Sequence, residues 1–257
     1  INDPKVSVVF ILSRHDSHAD LAEKALLAGK DVFVEKPVAL TEDELERVTR
    51  AQQESGRILW AGFNRRYSTA VQLAKAALAN SGGPQVATYR VNAGSLPDTH
   101  WYRDRRQGGR LLGEVCHFID TISWIIGAQP YRVVAFGDGR RESLLQENLS
   151  IALQYPDGSN ASVAYTADGS PLMPKERIEI LGRGHSVTID DYKSIEIDGH
   201  EHSIKPADKG HVANLRAFAN ALHGTSERCQ HAEASFASSK ASFAAVRSLL
   251  EGIAIRS

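Results

Sequence analysis

A chain of 257 residues has room for one or two domains, at about 150 residues each, and for a core that needs no disulfide or metal staple. Thirty Lys and Arg against 31 Asp and Glu leave a formal charge of −1, which gives no electrostatic reason to expect nucleic acid or an anionic membrane as partner. Cys116 and Cys229 show no framework spacing, no apolar run approaches the length of about 20 residues that spans a bilayer, and no signal-peptide pattern opens the chain, so a cytoplasmic protein is expected.

Residues 6–12 are almost continuously apolar and β-branched, as in a strand buried on both faces of a parallel sheet. Residues 18–28 read as a helix with Leu21, Ala22, Ala25 and Leu26 on one face and Gly29 after its end. Asp31–Val34 is a second strand. Thr41 with Glu44 makes a capping box, and Leu40 with Leu45 the hydrophobic staple, of a helix that stops at Ser55 and Gly56. Residues 58–61 give a third strand and residues 68–79 a third helix, closed by residues 80–84. This β-α-β-α-β alternation predicts a doubly wound parallel sheet.

The pattern then changes. Gln85–Asn92 is a strand, residues 94–109 form a loop of Pro, Asp, Arg and aromatics, and residues 111–126 make an apolar helix stopped by Gly127. Strands at 149–155 and 161–165 flank the turn Pro156-Asp157-Gly158, and a meander follows at 178–181, 186–189, Ser194–Ile197 and 201–204. Helices at about 211–223 and 232–253 close the chain. The expected class is α/β, with a doubly wound unit over residues 1–83 and an α+β unit with a mostly antiparallel open sheet over residues 84–257.

In open parallel sheets ligands bind beyond the carboxyl ends of the strands. Two segments lie there: Ser13-Arg14-His15-Asp16-Ser17-His18, and Glu35-Lys36-Pro37. Pro37 restricts Lys36 to an extended backbone that can aim its ammonium into a crevice, although a solvated loop lysine would look the same. A second candidate is Gly113-Glu114-Val115-Cys116-His117-Phe118-Ile119-Asp120. On a helix Glu114, His117 and Asp120 step by three and share a face. A carboxylate beside an imidazole suits general-base work on a hydroxyl, which singles out His117 and Glu114 and leaves Asp120 a structural role. No metal site is expected, because His15 with His18 and His200 with His202 lack third and fourth ligands. Nucleophile-elbow, Walker and GxGxxG sequences are absent.

Taken in order, the strand-end Ser13–His18 segment, Glu35-Lys36-Pro37, Gly62-Phe63-Asn64-Arg65-Arg66-Tyr67 and the motif ending at Asp120 resemble the glucose-fructose oxidoreductase/inositol dehydrogenase (Gfo/Idh/MocA) family over about half the chain. The resemblance implies an oxidoreductase that uses NAD or NADP to transfer hydride to or from a hydroxyl or keto group of a sugar, polyol or related small molecule. It implies a Rossmann domain followed by a domain whose open sheet builds homo-oligomers. Lys36 would then bind at the nicotinamide end and polarise the reacting oxygen, and His117 would exchange the substrate proton. Ser13, His15, His18 and Glu35 would line the cofactor crevice, and Arg65 would lie near cofactor or substrate.

One departure stands out. The family pattern has an Asp four residues before the His, where this chain has Gly113; its acid, Glu114, is three before, rotated by about 100° on a helix. Without the glycine fingerprint the chain reads as a Rossmann domain lacking its first β-α-β units, so that by itself it should bind dinucleotide poorly. The residue that tells NAD from NADP would lie ahead of Ile1. The variant motif, with Asn92-Ala93-Gly94 and His100-Trp101-Tyr102, looks most like members fused behind a zinc-dependent alcohol-dehydrogenase-like half. Two other functions stay open: a catalytically silent binding or regulatory module, and redox-assisted glycoside hydrolysis. Arg103, Arg105 and Arg106 fit either an anionic ligand or local acids.

Overall fold

Alternation inside short strands decides which layer each side chain joins. β1 (Val8–Ile11), β2 (Asp31–Val34) and β3 (Leu59–Ala61) pair in parallel in the order β1-β2-β3. Val32, Val34, Leu59 and Ala61 enter the main core with apolar residues of α1 (His18–Leu27) and α2 (Glu42–Ser55). Phe33 and Trp60, one step out of phase, instead join Ile58 and meet Phe218 and Ala221 of α5 (His211–Leu222). One face of the small sheet is thus closed by the helices between its own strands, and the other by a helix from the far end of the chain. β1, at one edge of the small sheet, is less buried than its apolar run predicts, with Phe10 52% exposed. The α2 cap forms as expected, Thr41 Oγ1 accepting from the Glu44 amide at 3.2 Å, but the Glu44 carboxylate reaches back to the Leu40 amide at 2.7 Å, one residue further out.

The computed structural model describes residues 1–79, 82–139, 144–182, 184–224 and 228–257, with residues 228–230 described by backbone alone. Residues 80 and 81 of the expected connection, and the Cys229 side chain, lie outside the described residues. After α3 (Thr69–Leu78) comes a nine-stranded sheet in the order β11-β10-β9-β8-β4-β7-β6-β5-β12. Its strands are β4 (Gln85–Asn92), β5 (Arg132–Phe136), β6 (Asn148–Gln154), β7 (Asn160–Thr166), β8 (Glu176–Gly182), β9 (His185–Asp190), β10 (Ser194–Ile197), β11 (His200–Ser203) and β12 (Ile255–Arg256). All neighbours are antiparallel except β4 and β7, which run parallel with Val86 opposite Asn160.

Strict period-two burial gives this sheet a covered face and an open one: Leu149, Ile151 and Leu153 are buried while Ser150 and Ala152 are exposed. Helices α3, α4 (Cys116–Ile126) and α6 (Arg228–Glu251) pack on the covered face. The third helix therefore serves the large sheet, lying against α4, β9 and β10, and not the parallel one. The expected single helix over 111–126 is divided, residues Leu111–Val115 forming a π-helical turn before α4 begins. From α6, His231 stacks on Trp60 at 3.8 Å between ring centroids, with its Nε2 3.1 Å from the Ala61 carbonyl. From α5, Asn214 accepts from the Trp60 indole at 2.8 Å.

Candidate active site

The loops that follow β1 and β2 are tied together by a buried imidazole. The two ring nitrogens of His18 face the Pro37 carbonyl at 2.8 Å and the Ser13 carbonyl at 3.1 Å. This holds Lys36 at the carboxyl edge of the parallel sheet, where its ammonium donates to the Gly113 carbonyl. The Tyr102 hydroxyl donates to the same carbonyl at 3.1 Å, within the π turn, where the helical ladder is interrupted. Glu35 lies half-buried beside Gly62, where a Cβ would come within 2.8 Å of its Oε2. Ser13 is exposed, its hydroxyl 2.6 Å from that of Ser17.

His15 explains the departure at position 113. Its ring is buried, donates from Nδ1 to the Gln107 carbonyl at 2.8 Å and lies edge-on to Trp101 at 4.6 Å. Burial pushes this imidazole down to about 4, against the hydrogen bond to Gln107 and with the help of the Lys36 and His18 charges. A Cβ on residue 113 would stand 2.7 Å from His15 Cε1 and 3.3 Å from the Tyr102 ring. The volume that an aspartate would need is filled from the other side of the crevice. Gly113→Ala is expected to cost about 1–3 kcal/mol through overpacking, and His15→Ala in the same chain to recover part of it. Urea unfolding of the two single variants and the double variant measures the coupling; additive losses would refute it.

His117, in the first turn of α4, is 6% exposed, and its Nδ1 is buried with no hydrogen-bond partner among the described residues. Burial first, then the positive charges of Arg65 and Lys36, hold its pKa well below the ordinary histidine range. It is therefore a neutral imidazole at neutral pH, with proton-accepting capacity unspent. Among the described residues no hydrogen bond joins Glu114 to it. The Glu114 carboxylate accepts from Lys175 at 2.7 Å, from the Tyr165 hydroxyl at 2.5 Å and from Arg110 at 3.2 Å. Burial opposes its ionisation, but Lys175, Tyr165 and Arg110 hold the carboxyl below its usual range.

Arg65 and Arg66 turn to opposite partners. Arg65 grips Glu176 with Nε and Nη2, both at 2.8 Å, and Glu176 also accepts from Tyr89 at 2.5 Å and Lys209 at 2.6 Å. Despite burial, Arg65 and Lys209 keep the Glu176 carboxyl well below its usual range. The Arg65 cation is thereby committed inside the protein. Arg66 forks onto Asp120, which also accepts from Ser238 at 2.8 Å, the structural role expected of Asp120. In the 94–109 loop, Arg103 pairs with Glu147 at 3.1 Å and Arg106 with Asp104 at 2.7 Å, favouring local acids over a ligand for those two.

Sequence reasoning missed Lys175, Tyr165 and Glu176. Glu176 had a signal: it is in phase with Ile178 and Ile180, the inward residues of β8, so a carboxylate was bound for the core. Lys175 had none. It lines a cavity of about 780 Å³ together with Asn92, Gly94, Asp168, Asp191 and Lys193, and its charge also acts on His117.

Residues 1–63 match the model of an oxidoreductase family with an NAD-binding Rossmann fold, and residues 72–188 match the GFO/IDH/MocA C-terminal domain. Inositol 2-dehydrogenase of Salmonella typhimurium is 32% identical over 170 residues, which is 63% of this chain and 48% of that protein. The chain thus spans about half the length of this curated relative. Among solved structures, aldose-aldose oxidoreductase from Caulobacter crescentus, complexed with glycerol, superposes with a TM-score of 0.84 at 20% identity, covering 99% of this chain and 80% of that one. The WlbA dehydrogenase from Bordetella pertussis, in complex with NADH and UDP-GlcNAcA, gives 0.81 at 22% identity, over 98% and 79%. Among the described residues no helix is long and apolar enough to cross a membrane. With both family models matched in order along one sequence and the fold of these neighbours reproduced, the chain belongs to the Gfo/Idh/MocA oxidoreductase family.

Proposed function

We propose that this chain carries the reacting groups of an NAD- or NADP-dependent oxidoreductase acting on the hydroxyl or keto group of a sugar, polyol or related small molecule. The observation that carries the reading is a neutral, buried imidazole whose Nδ1 has no partner among the described residues, electrostatically coupled to a lysine at the carboxyl edge of a parallel sheet. The dehydrogenase named among the relatives agrees with it. The residues fit the nicotinamide end of a dinucleotide: Lys36 offers a cation that, among the described residues, holds a carbonyl and no carboxylate, and Ser13 and Glu35 flank it on the strand-end loops. Bound there, the dinucleotide would supply or accept the hydride. Lys36 orients the substrate oxygen and stabilises negative charge on it, and His117 takes up or returns the hydroxyl proton at Nδ1. His15 and His18 set the crevice wall and the loop geometry. Arg65 acts through Glu176, and Glu114 positions Lys175 at the mouth of the larger cavity.

The test is the pH dependence of kcat/KM in the intact protein, with NAD or NADP and myo-inositol or a panel of aldoses, followed by nicotinamide absorbance. A depressed His117 pKa means that the base form persists as the solution is acidified. The rate should therefore be on its plateau at pH 7 and fall only below the usual histidine value of about 6.5. His117→Asn is expected to lower kcat/KM by at least about 100-fold and to remove this acid limb. An unchanged profile in that variant would reject the assignment.

We also propose that the open face of the nine-stranded sheet joins a second copy of the chain. Val86, Phe136 and Leu181 are 56%, 64% and 59% exposed on it, beside small residues such as Ser150, Ala152 and Ala164 that let two sheets approach closely. Light scattering should give at least a dimer, and Val86→Lys should shift it to monomer; a monomeric parent protein would sink the idea.

A further inference from the structure

A second cavity, of about 500 Å³, lies among α3, α4 and α6 and shares no lining residue with the larger one. Arg66, Lys75, Trp124, Gln129, Glu233 and Ala237 form most of its character. Three buried polar atoms of these residues have no partner among the described residues: Arg66 Nη1, Trp124 Nε1 and Gln129 Oε1. The Arg66 side chain is only 1% exposed, and its other two nitrogens are held by Asp120, so Nη1 is a fixed donor that bulk water cannot serve.

Charge points the same way. Lys75 Nζ lies 3.6 Å from the centroid of the Trp124 ring, and Arg66 Cζ lies 5.2 Å from it. Two cations thus share one aromatic side chain, and no acid pairs with Lys75 among the described residues. Burial and the Arg66 charge both push the Lys75 ammonium below its ordinary range. An anion placed between them would remove that repulsion and fill the empty donor positions. The same lining also asks for a donor. It carries Gln129 Oε1, the exposed Glu233 at the rim, and Gly127 at the end of α4, where free helix carbonyls collect.

We propose that this cavity is a binding site for a small carboxylate that also carries a hydroxyl or amino donor. The carboxylate would take the donors of Arg66, Trp124 and Lys75, the donor group would face Gln129 and Glu233, and the carbon skeleton would pack on the indole and Ala237. The volume is within the range of about 300–1,000 Å³ typical of small-molecule pockets. The proposal does not depend on the redox reading, since its residues are neither Lys36 nor His117.

The experiment is a thermal-unfolding titration of the intact protein with glycerate (hydroxyl donor), serine (amino donor) and propionate (no donor), at constant ionic strength held with sodium chloride. A saturable rise in Tm is expected with glycerate or serine, the stronger one naming the donor, and at least fivefold weaker apparent affinity for propionate. Lys75→Met keeps the stem against Trp124 and should weaken the response at least tenfold. Should that variant fail to fold, Trp124→Phe, which keeps an aromatic face but loses the N–H donor, replaces it with the same expectation. No saturable response to either donor-bearing acid, an equal response to propionate, or an unaltered response in the folded variant would overturn the proposal.

Discussion

Lys36→Met in the intact protein is expected to lower kcat by about 1,000-fold while leaving the unfolding midpoint nearly unchanged. Both halves of that expectation follow from one contact. The Lys36 ammonium donates to the Gly113 carbonyl and forms no salt bridge among the described residues, so its removal strands no buried carboxylate. Methionine matches the length of the stem, and the loop remains tied by His18 to Pro37 and Ser13. The reacting oxygen, by contrast, loses the cation that would stabilise its charge. A second readout separates this from a packing effect. Lys36 is one of the charges that depress His117 and His15, so its loss lets both imidazoles titrate higher. The acid limb of kcat/KM should move to higher pH in the residual activity. Steady-state kinetics with a pH series checks both, and near-normal kcat in Lys36→Met would remove Lys36 from the reaction.

Arg66→Met is expected to destabilise the fold by about 3–5 kcal/mol. Arg66 and Asp120 are each 1% exposed, and the guanidinium meets both carboxylate oxygens. Taking away the cation leaves Asp120 with the Ser238 hydroxyl and the remote Arg65 charge, deep between α4 and α6. Burial already pulls the Asp120 carboxyl upward in pKa against its partners, so in the variant it should fold protonated. The double variant Arg66→Met/Asp120→Leu removes both charges and should regain most of the loss, because the penalty comes from the unpaired ion and not from a missing attraction. Urea unfolding of the parent protein and the two variants at a common slope measures this; a single-variant loss below about 1 kcal/mol would mean that the pair is replaceable by its surroundings.

Local chemistry was readable where the element carried its own signals. The bounds of β2, β4 and β10 emerge as expected, and α2 starts at its Thr41 cap because Thr41 and Glu44 act within one turn. What escaped depends on distant partners. β5 offers only two fully inward residues and is a strand because β6 lies beside its whole length, and β12, two residues long, is a strand because β5 lies beside it. The parallel pairing of β4 with β7 has no local mark, and neither does the choice of α3 to cover the large sheet. In the candidate site, strand-end position and motif singled out Lys36 and His117, which the structure places at the carboxyl edge of the parallel sheet and in the first turn of α4. Glu114 was misread for a geometrical reason. Placing it on the face of His117 assumed α-helical steps, but Leu111–Val115 form a π turn, so the three-residue spacing no longer superimposes the two side chains. Its oxygens turn instead to Arg110, Tyr165 and Lys175.

The closure of the small sheet by α5 and α6 sets an order of events during synthesis. Asn214, whose Oδ1 accepts from the Trp60 indole N–H, is 154 positions downstream, and the imidazole at the Ala61 backbone is 170 positions downstream. A growing chain therefore completes β1, β2 and β3 long before anything exists to cover Phe33 and Trp60. Until α5 leaves the ribosome, an aromatic surface stays in contact with water, and loop closure over so many residues is entropically slow. Nascent chains halted before residue 211 should be held by chaperones, and release should coincide with the emergence of the last two helices.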